Sequence, residues 1–274
     1  MPEGPEIRRQ RDLLADALNG RRARRIRFHL PRLAAWNGPL DGVRILDVES
    51  RGKALVTHLD SGHSIYSHNQ LYGRWVVAAP NDRPRTRRSL RLAIETEALH
   101  ALLYSASDIE VWPTARLQDH PFLRKLGPDV LDAATTPEKV LARLLDRRFR
   151  NRRLGGLLTD QSFVAGLGNY LRCEILHCAG LHPRWRPAAL PEGRLLALAA
   201  RMLQLPRQSL ATGGVTNDLA RARELEAAGV PFEGYRFHVF RRAGEPCYRC
   251  GEPIRKEMHG GQPCYLCPGC QPAP

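Results

Sequence analysis

The stretch Gln161-Ser162-Phe163-Val164-Ala165-Gly166-Leu167-Gly168-Asn169-Tyr170 lies in the carboxyl half of the chain. Helical patterns at residues 161–164 and 169–179 flank a segment with two glycines, which predicts two helices joined by a tight turn. Glycines let a backbone approach a phosphate closely, and the amide groups that open the second helix can bind such an anion. Packing of the two helices is the alternative explanation of the same turn.

Helical patterns continue on both sides of this turn. Residues 140–145 follow Thr136-Pro137-Glu138, which reads as an N-cap with proline in the first turn, and residues 191–205 give a further helix. Residues 207–231 are predicted to form an irregular loop with one short charged helix at 219–228. The carboxyl half is therefore predicted to be mainly helical.

Four cysteines near the end of the chain have the spacing of a metal site. Cys247-x2-Cys250 and Cys267-x2-Cys270 are separated by sixteen residues, which predicts a closed, structural four-thiolate zinc site. The hairpin between the two pairs has too small a core to fold alone, so zinc binding is expected to be coupled to folding. Cys264 and His259 are competing ligands. The finger could contact DNA, and the alternative is a zinc ribbon that contacts another protein. The excess of Lys and Arg in the chain disfavours the protein-contact alternative.

The amino half has a different pattern. Gly20 ends a predicted helix at residues 7–18, and short β-like runs separated by turn residues follow. They predict an antiparallel sandwich or barrel with strands at residues 45–49, 54–59, 64–68, 75–77, 90–96 and 101–104. Residues 113–132 contain three prolines and little periodicity, which indicates a hinge between two domains.

Two loops of the β half carry candidate functional side chains. Lys53 begins a strand, where it projects either toward a site or into water. Gln70, Leu71 and Tyr72 place an amide, an aliphatic group and an aromatic ring in succession, and such residues can enter a duplex as a wedge. The alternative is that Leu71 and Tyr72 belong to the core at a strand edge.

The charge balance indicates a polyanionic partner. Lys and Arg number 42 against 28 Asp and Glu, which gives a net charge of +14 and favours nucleic acid or an anionic membrane surface. No apolar run is long enough to cross a bilayer, and early charged residues exclude a signal peptide. Seven cysteines, an odd number, fit reduced thiols with metal ligation. A cytoplasmic protein is therefore expected.

The chain begins Met1-Pro2-Glu3-Gly4-Pro5-Glu6. Removal of Met1 would leave Pro2 with a secondary amine that is partly uncharged at neutral pH and therefore nucleophilic, with Glu3 beside it as a possible acid. The alternative is that Pro2 only blocks aminopeptidases while Pro5 and Glu6 open a helix.

Together these motifs resemble the formamidopyrimidine-DNA glycosylase and endonuclease VIII family over nearly the whole chain. Residues 67–73, 103–110 and 120–123 are similar to its bacterial endonuclease VIII branch. The resemblance implies an α+β fold with an antiparallel β-sandwich and its N-terminal helix, followed by a helical domain with a helix-two-turn-helix and a zinc-finger β-hairpin. The expected boundaries are a catalytic domain at residues 1–120, a hinge at 121–134, the helix-two-turn-helix domain at 135–235 and the finger at 236–274.

The resemblance also implies a function. It is that of a bifunctional DNA glycosylase and AP lyase in base-excision repair, a monomer with one structural zinc ion that acts on double-stranded DNA with oxidised bases, pyrimidines favoured. Catalytic roles carry over to Pro2 as Schiff-base nucleophile, Glu3 as general acid and Lys53 as proton donor in β-elimination. DNA contacts carry over to Gln70, Leu71, Tyr72, Asn169 and Lys125. Lys125 stands where the family has an arginine, which keeps the charge but loses bidentate geometry.

Two departures from the family limit this expectation. Gln262 occupies the position of a finger arginine associated with δ-elimination, and a neutral hydrogen bond is weaker than a charge-assisted one. Residues 207–231 are longer than the equivalent endonuclease VIII loop and lie where the formamidopyrimidine branch covers a flipped purine. A preference for oxidised purines and a damaged-DNA-binding protein without catalysis therefore remain alternatives.

Overall fold

The computed structural model describes residues 2–82 and 84–274. The chain forms two compact units, one of Pro2 with Glu6–Lys125 and one of Glu3–Pro5 with Leu126–Pro274. Residues 3–5 belong with the second unit because the amide of Gly4 donates to the carbonyl oxygen of Gly166 at 2.8 Å. The four-part division at residues 120, 134 and 235 stays a prediction.

The first unit is built from one helix and two antiparallel four-stranded sheets. The helix is α1 (Gly4–Leu18), and the sheets have the strand orders β1-β6-β7-β5 and β2-β3-β4-β8. The strands are β1 (Arg25–Phe28), β2 (Ile45–Arg51), β3 (Ala54–Leu59), β4 (His63–His68), β5 (Arg74–Ala78), β6 (Leu90–Glu95), β7 (His100–Tyr104) and β8 (Asp108–Pro113). Apolar side chains of α1 and of both sheets share one core, including Ile7, Leu14, Ile26, Leu55 and Leu103. The predicted antiparallel sandwich is confirmed.

Three elements of this unit differ from the prediction by more than one or two residues at a strand end. Helix α1 begins at Gly4 instead of Ile7, with Pro5 and Glu6 in its first turn, as the alternative explanation of that segment expected. Strands β1 and β8 were not predicted. Both alternate charged and apolar residues, as half-buried strands do, but each offers only two apolar positions of that alternation, Ile26 and Phe28 in β1 and Ile109 and Val111 in β8.

The second unit contains six helices and one β-hairpin. These are α2 (Pro137–Leu145), α3 (Leu154–Leu157), α4 (Asn169–Cys178), α5 (Glu192–Ala211), α6 (Leu219–Ala227), α7 (Phe232–Tyr235), β9 (Arg255–His259) and β10 (Gln262–Leu266). The Thr136 hydroxyl oxygen accepts from the amide of Lys139 at 3.4 Å, so the predicted N-cap of α2 is confirmed. One apolar core joins α2 to α5, and the hairpin packs on α4.

One predicted helix and the start of one predicted loop in this unit were wrong. Residues 161–164 form turns because Asp160 accepts from the amide and hydroxyl of Ser162, at 2.8 and 2.7 Å, and Gln161 bonds the amide of Gly166. Such local side-chain bonds compete with helix formation. Helix α5 continues through Pro206 to Ala211, so the first five residues of the predicted loop at 207–231 are helical.

Within the part of the chain that the structure describes, none of the helices combines the length and the apolar character required to span a membrane.

Candidate nucleic-acid interface and metal centre

The carboxylate of Glu3 lies at the N terminus of α4. Its Oε2 accepts from the amides of Gly168 at 2.7 Å and Leu171 at 3.3 Å, and its Oε1 accepts from the amide of Tyr170 at 2.7 Å. Glu3 is 2% exposed. A helix N terminus presents unpaired N–H groups and partial positive charge, which stabilise a buried carboxylate. These contacts fix the position of the residue that follows Pro2.

Two glycines make room for this contact. A Cβ atom on Gly168 would lie 2.5 Å from Cδ of Glu3, and one on Gly4 would lie 3.1 Å from the backbone of Gly166. Gly168 has φ −138°, so it is required for space and not for an unusual backbone conformation. Gly166, at φ 96°, adopts a conformation that favours glycine.

Asn169, the first residue of α4, is oriented by a buried arginine one turn later. Nη2 of Arg172 donates to Oδ1 of Asn169 at 2.5 Å, so the amide nitrogen is the group that Asn169 presents. The same guanidinium donates to the carbonyl oxygens of Gly155 and His259, both at 2.8 Å, and of Pro263 at 3.1 Å. Arg172 thereby ties the start of α4 to α3 and to the hairpin.

The four predicted metal ligands converge. Sγ of Cys250 lies 3.3 Å from Sγ of Cys267 and 3.5 Å from that of Cys270, and the Cys247 and Cys270 sulfurs are 3.9 Å apart. Four thiolates about 2.3 Å from a tetrahedral metal are about 3.8 Å from one another, so this set fits such an ion. The amide of Arg249 donates to Sγ of Cys247 at 3.4 Å, as expected around a thiolate ligand.

The two competing ligands lie in other contacts. Sγ of Cys264 is 3.8 Å from Sγ of Cys173. His259 Nε2 is 2.8 Å from Oε2 of Glu257, and His182 Nε2 is 3.8 Å from the same oxygen. Nδ1 of His182 accepts a backbone amide at 3.1 Å, so its proton sits on Nε2, where a metal would have to bind. We therefore interpret Glu257 as the hydrogen-bond partner of His259, with His182 beside the same carboxylate.

Gln262 lies at the tip of the finger hairpin. It is the first residue of β10, pairs with His259 across the turn and is exposed. Arg255 and Lys256 at the start of β9 are also exposed. The hairpin therefore presents two cations and one neutral amide.

The loop after β4 holds Gln70 in a defined conformation. Gln70 has φ 52°, which is uncommon outside glycine, and its backbone N–H donates to Nδ1 of His68 at 3.0 Å. Oε1 of Gln70 accepts from the amide and hydroxyl of Ser107, at 3.2 and 3.0 Å. Burial lowers the pKa of His68, which suits its role as acceptor. Leu71 is 59% and Tyr72 is 69% exposed, so the edge-core alternative was wrong.

The remaining predicted residues also belong to the first unit. Lys53 lies in the turn between β2 and β3 and is 8% exposed, which is rare for lysine and excludes simple solvation. Lys125 is exposed at the end of a short 3₁₀ helix, and Pro2 is half-buried immediately before Glu3. Met1 lies outside the described residues.

Sequence reasoning did not single out Arg172 or Glu174. Glu174 is fully buried and accepts from the amides of His238, Val239 and Phe240 and from the hydroxyl of Thr216. Because the Glu174 carboxylate accepts four hydrogen bonds, it fixes residues 238–240, which lead into the finger. The available signal was the presence of two charged residues in a helix whose other residues are mostly apolar.

Comparison with known proteins gives full-length relatives. Residues 1–106 match the formamidopyrimidine-DNA glycosylase N-terminal domain. The chain is 48% identical over 271 residues to endonuclease 8 of Escherichia coli O17:K52:H18 and 46% identical over 271 residues to endonuclease 8 of Klebsiella pneumoniae. Each alignment covers 99% of this chain and 100% of the relative.

Solved structures share the fold. The complex of Lactococcus lactis Fpg (MutM) with DNA containing an oxidised pyrimidine has a TM-score of 0.82 at 23% identity. The complex of the same protein with DNA containing an abasic site has a TM-score of 0.80 at 22% identity. Both alignments cover 99% of this chain and 100% of the other.

Proposed function

Because this chain belongs to the formamidopyrimidine-DNA glycosylase/endonuclease VIII family, as an endonuclease VIII, we propose that it excises oxidised pyrimidines through a Schiff base on Pro2. Members of the family are bifunctional, and this chain is a DNA glycosylase and AP lyase for oxidised bases in base-excision repair. One observation supports the proposal that Pro2 is the nucleophile. The next residue, Glu3, is buried, and three backbone amides at the N terminus of α4 fix its carboxylate.

In the proposed reaction the Pro2 secondary amine attacks C1′ of the flipped nucleotide. The C1′–N bond to the base breaks, and the base departs with its electron pair and the proton that the Pro2 nitrogen loses. The C1′–O4′ bond then breaks, O4′ takes a proton from the general acid, and an iminium ion links Pro2 to the opened sugar. The iminium acidifies the C2′ hydrogen, whose loss expels the 3′ phosphate in β-elimination. A second elimination of the same kind releases the 5′ phosphate. Oxidised bases leave more readily because they have lost aromaticity, and they also unstack at lower cost.

Glu3 and Lys53 are proposed to move the protons. The three N–H bonds that the Glu3 carboxyl group accepts hold it in place, and Glu3 is proposed to take the proton that the Pro2 ammonium loses before attack and to return it to O4′ of the sugar as a general acid. Lys53 would donate a proton during β-elimination, and its burial supports a role other than solvation.

The proposed DNA contacts come from both units. Asn169 would donate its oriented amide to a phosphate, with the N terminus of α4 beside it. The exposed side chains of Leu71 and Tyr72, with Gln70 held by Ser107, would fill the gap left by the flipped nucleotide. Lys125 would contribute a further phosphate contact, without the bidentate geometry of arginine.

The metal is proposed to be one structural Zn²⁺ held by Cys247, Cys250, Cys267 and Cys270. Four thiolates at tetrahedral separations are the donor set of structural zinc and leave no position for substrate. We further propose that the protein acts as a monomer in the bacterial cytoplasm, where its DNA substrate lies.

Excision of defined lesions tests the substrate class. Duplexes with a single thymine glycol or a single 8-oxoguanine are incubated with excess enzyme, and cleavage is followed on a denaturing gel. We expect thymine glycol to be removed at least about tenfold faster. Faster removal of 8-oxoguanine would assign the chain to oxidised purines, and tight binding without cleavage of either duplex would leave only damage recognition.

A further inference from the structure

Three of the seven cysteines lie outside the four-cysteine cluster: Cys173, Cys178 and Cys264. Two of them form a pair. Cys173 lies in α4 and Cys264 in β10, their Sγ atoms are 3.8 Å apart, and both side chains are buried. The pair joins two elements that are 91 positions apart in the chain.

The backbone on both sides of Cys264 is fixed to α4. The carbonyl oxygen of Pro263 accepts from Nη2 of Arg172 at 3.1 Å, and the amide of Tyr265 donates to Sγ of Cys173 at 3.3 Å. A disulfide requires an S–S distance of about 2.05 Å, so the two sulfurs must approach by about 1.8 Å. Rotation of the Cys264 side chain can bring its sulfur toward Cys173 while the Arg172–Pro263 hydrogen bond stays in place.

The contacts also distinguish the two sulfurs. The thiol of Cys173 donates to Sγ of Cys264, and the buried guanidinium of Arg172 lies next to Cys173 in the chain and on the carbonyl of the residue before Cys264. The guanidinium acts on both sulfurs, whereas the S–H···S hydrogen bond places the proton on Cys173 and favours negative charge on Cys264. Cys264 is therefore the nucleophile of the pair, and Cys173 is the sulfur that resolves its oxidation product.

We propose that Cys173 and Cys264 form an oxidation site whose reagent is a hydroperoxide and whose product is a disulfide between α4 and the finger hairpin. The Cys264 thiolate attacks a peroxide oxygen, the O–O bond breaks, and a sulfenic acid and hydroxide form. The sulfur of Cys173 then attacks the sulfenic sulfur, the S–O bond breaks, and the oxygen leaves as water with the thiol proton. The two cysteines lose two electrons, which the peroxide gains. The proposal does not rest on the catalytic assignment of Pro2.

The test uses the full-length, zinc-loaded protein. Samples are treated with increasing hydrogen peroxide and divided. Bound zinc is measured on the native part and intact mass on a part that is not alkylated, and remaining thiols in a third part are alkylated under denaturing conditions for peptide linkage. We expect loss of about 2 Da and a peptide pair joined through Cys173 and Cys264 while zinc is retained. If Cys173 and Cys264 are both still alkylated, and therefore still reduced, in samples that have already lost their zinc, the proposal is overturned.

Two variants sharpen the result. C173V removes the resolving sulfur with an apolar side chain, so the 2 Da loss should disappear and dimedone should label Cys264. C178S alters another cysteine of the same helix and should leave the cross-link unchanged. If C173V fails to fold, peptide linkage in the native protein still decides, because a cross-link from Cys264 to any other cysteine contradicts the pairing.

Discussion

At the scale of single residues, the Glu3 carboxylate depends on the glycine opposite it. Gly168 has a backbone conformation that other residues adopt, yet a Cβ there would meet the Glu3 carboxyl group. Its role is therefore to let a helix N terminus and a carboxylate come into direct contact. A side chain at residue 168 should disturb the acid without unfolding the helix.

Gly168→Ala is expected to reduce base excision by about 100-fold, a loss typical of a misplaced general acid. Single-turnover excision measures the rate, and circular dichroism measures the fold. Gly193→Ala in α5 is the matched control, because a Cβ there meets no atom within 4 Å and alanine favours a helix. Equal activity of the two variants would show that the position of Glu3 does not matter for excision.

A second residue makes stability depend on pH. Burial lowers the pKa of His177 to about 4 from its ordinary 6.5, with the nearby Glu174 opposing the shift. Between these values the unfolded chain binds the proton and the folded chain does not. Stability from this group is therefore complete above pH 6.5 and is lost as pH falls toward 4, by about 3 kcal/mol in total.

Urea unfolding of the native protein and of H177Q between pH 7 and pH 4 tests this assignment. The variant should lose the part of the slope that belongs to His177, and any release of metal in acid affects both proteins alike. H29Q, which changes an exposed histidine, is the matched control variant. Parallel curves for the native protein and H177Q would exclude His177 as the source.

At the scale of elements, the tip of the finger hairpin carries the neutral Gln262, so it has one positive charge fewer than it would have with an arginine at that position. Gln262→Arg adds a cation at the turn and is expected to raise the fraction of product that has undergone δ-elimination, because a charge-assisted phosphate contact is about twice as strong as a neutral one. Met258→Arg adds the same charge at an exposed position of β9 and is the control. An unchanged ratio of β- to δ-product on a gel would contradict this role for residue 262.

Zinc is expected to hold the same element in place. Metal analysis should give one zinc ion per chain, and Cys267→Ser should abolish it, whereas Cys178→Ser should retain it. Without the metal the hairpin loses its core, and Arg172 loses its partners at His259 and Pro263. Amide hydrogen exchange in β9 and β10 should therefore accelerate in Cys267→Ser; unchanged exchange would mean that the hairpin folds without metal.

At the scale of the whole molecule, regular patterns were predictable from the sequence. The long strands, helices α1, α2 and α4 and the cysteine spacing follow from periodicity, capping residues and ligand chemistry. The turn at residues 161–164 did not follow, because the side chains of Asp160 and Gln161 bond local backbone atoms that a helix would otherwise use. Strands β1 and β8 were missed because each offers only two apolar positions of a period-2 pattern.

The candidate site was predictable only in its residue types. The sequence indicated Pro2, Glu3 and Asn169 as separate motifs, but the contact of Glu3 with the amides at residues 168, 170 and 171 depends on tertiary structure. Arg172 and Glu174 were missed because hydrogen bonds from distant segments satisfy their charges, and no local pattern records those partners. The Cys173–Cys264 pair likewise requires two elements to meet.

In the proposed mechanism, the amine of Pro2 forms a covalent bond with the sugar. Native protein with a processed N terminus, verified by intact mass, is incubated with a duplex containing one abasic site in the presence of sodium borohydride. We expect a stable protein–DNA adduct whose cross-linked peptide begins at Pro2, and loss of that adduct when Met1 is retained. Absence of an adduct with the processed protein, or a cross-link through a lysine such as Lys53, would contradict it.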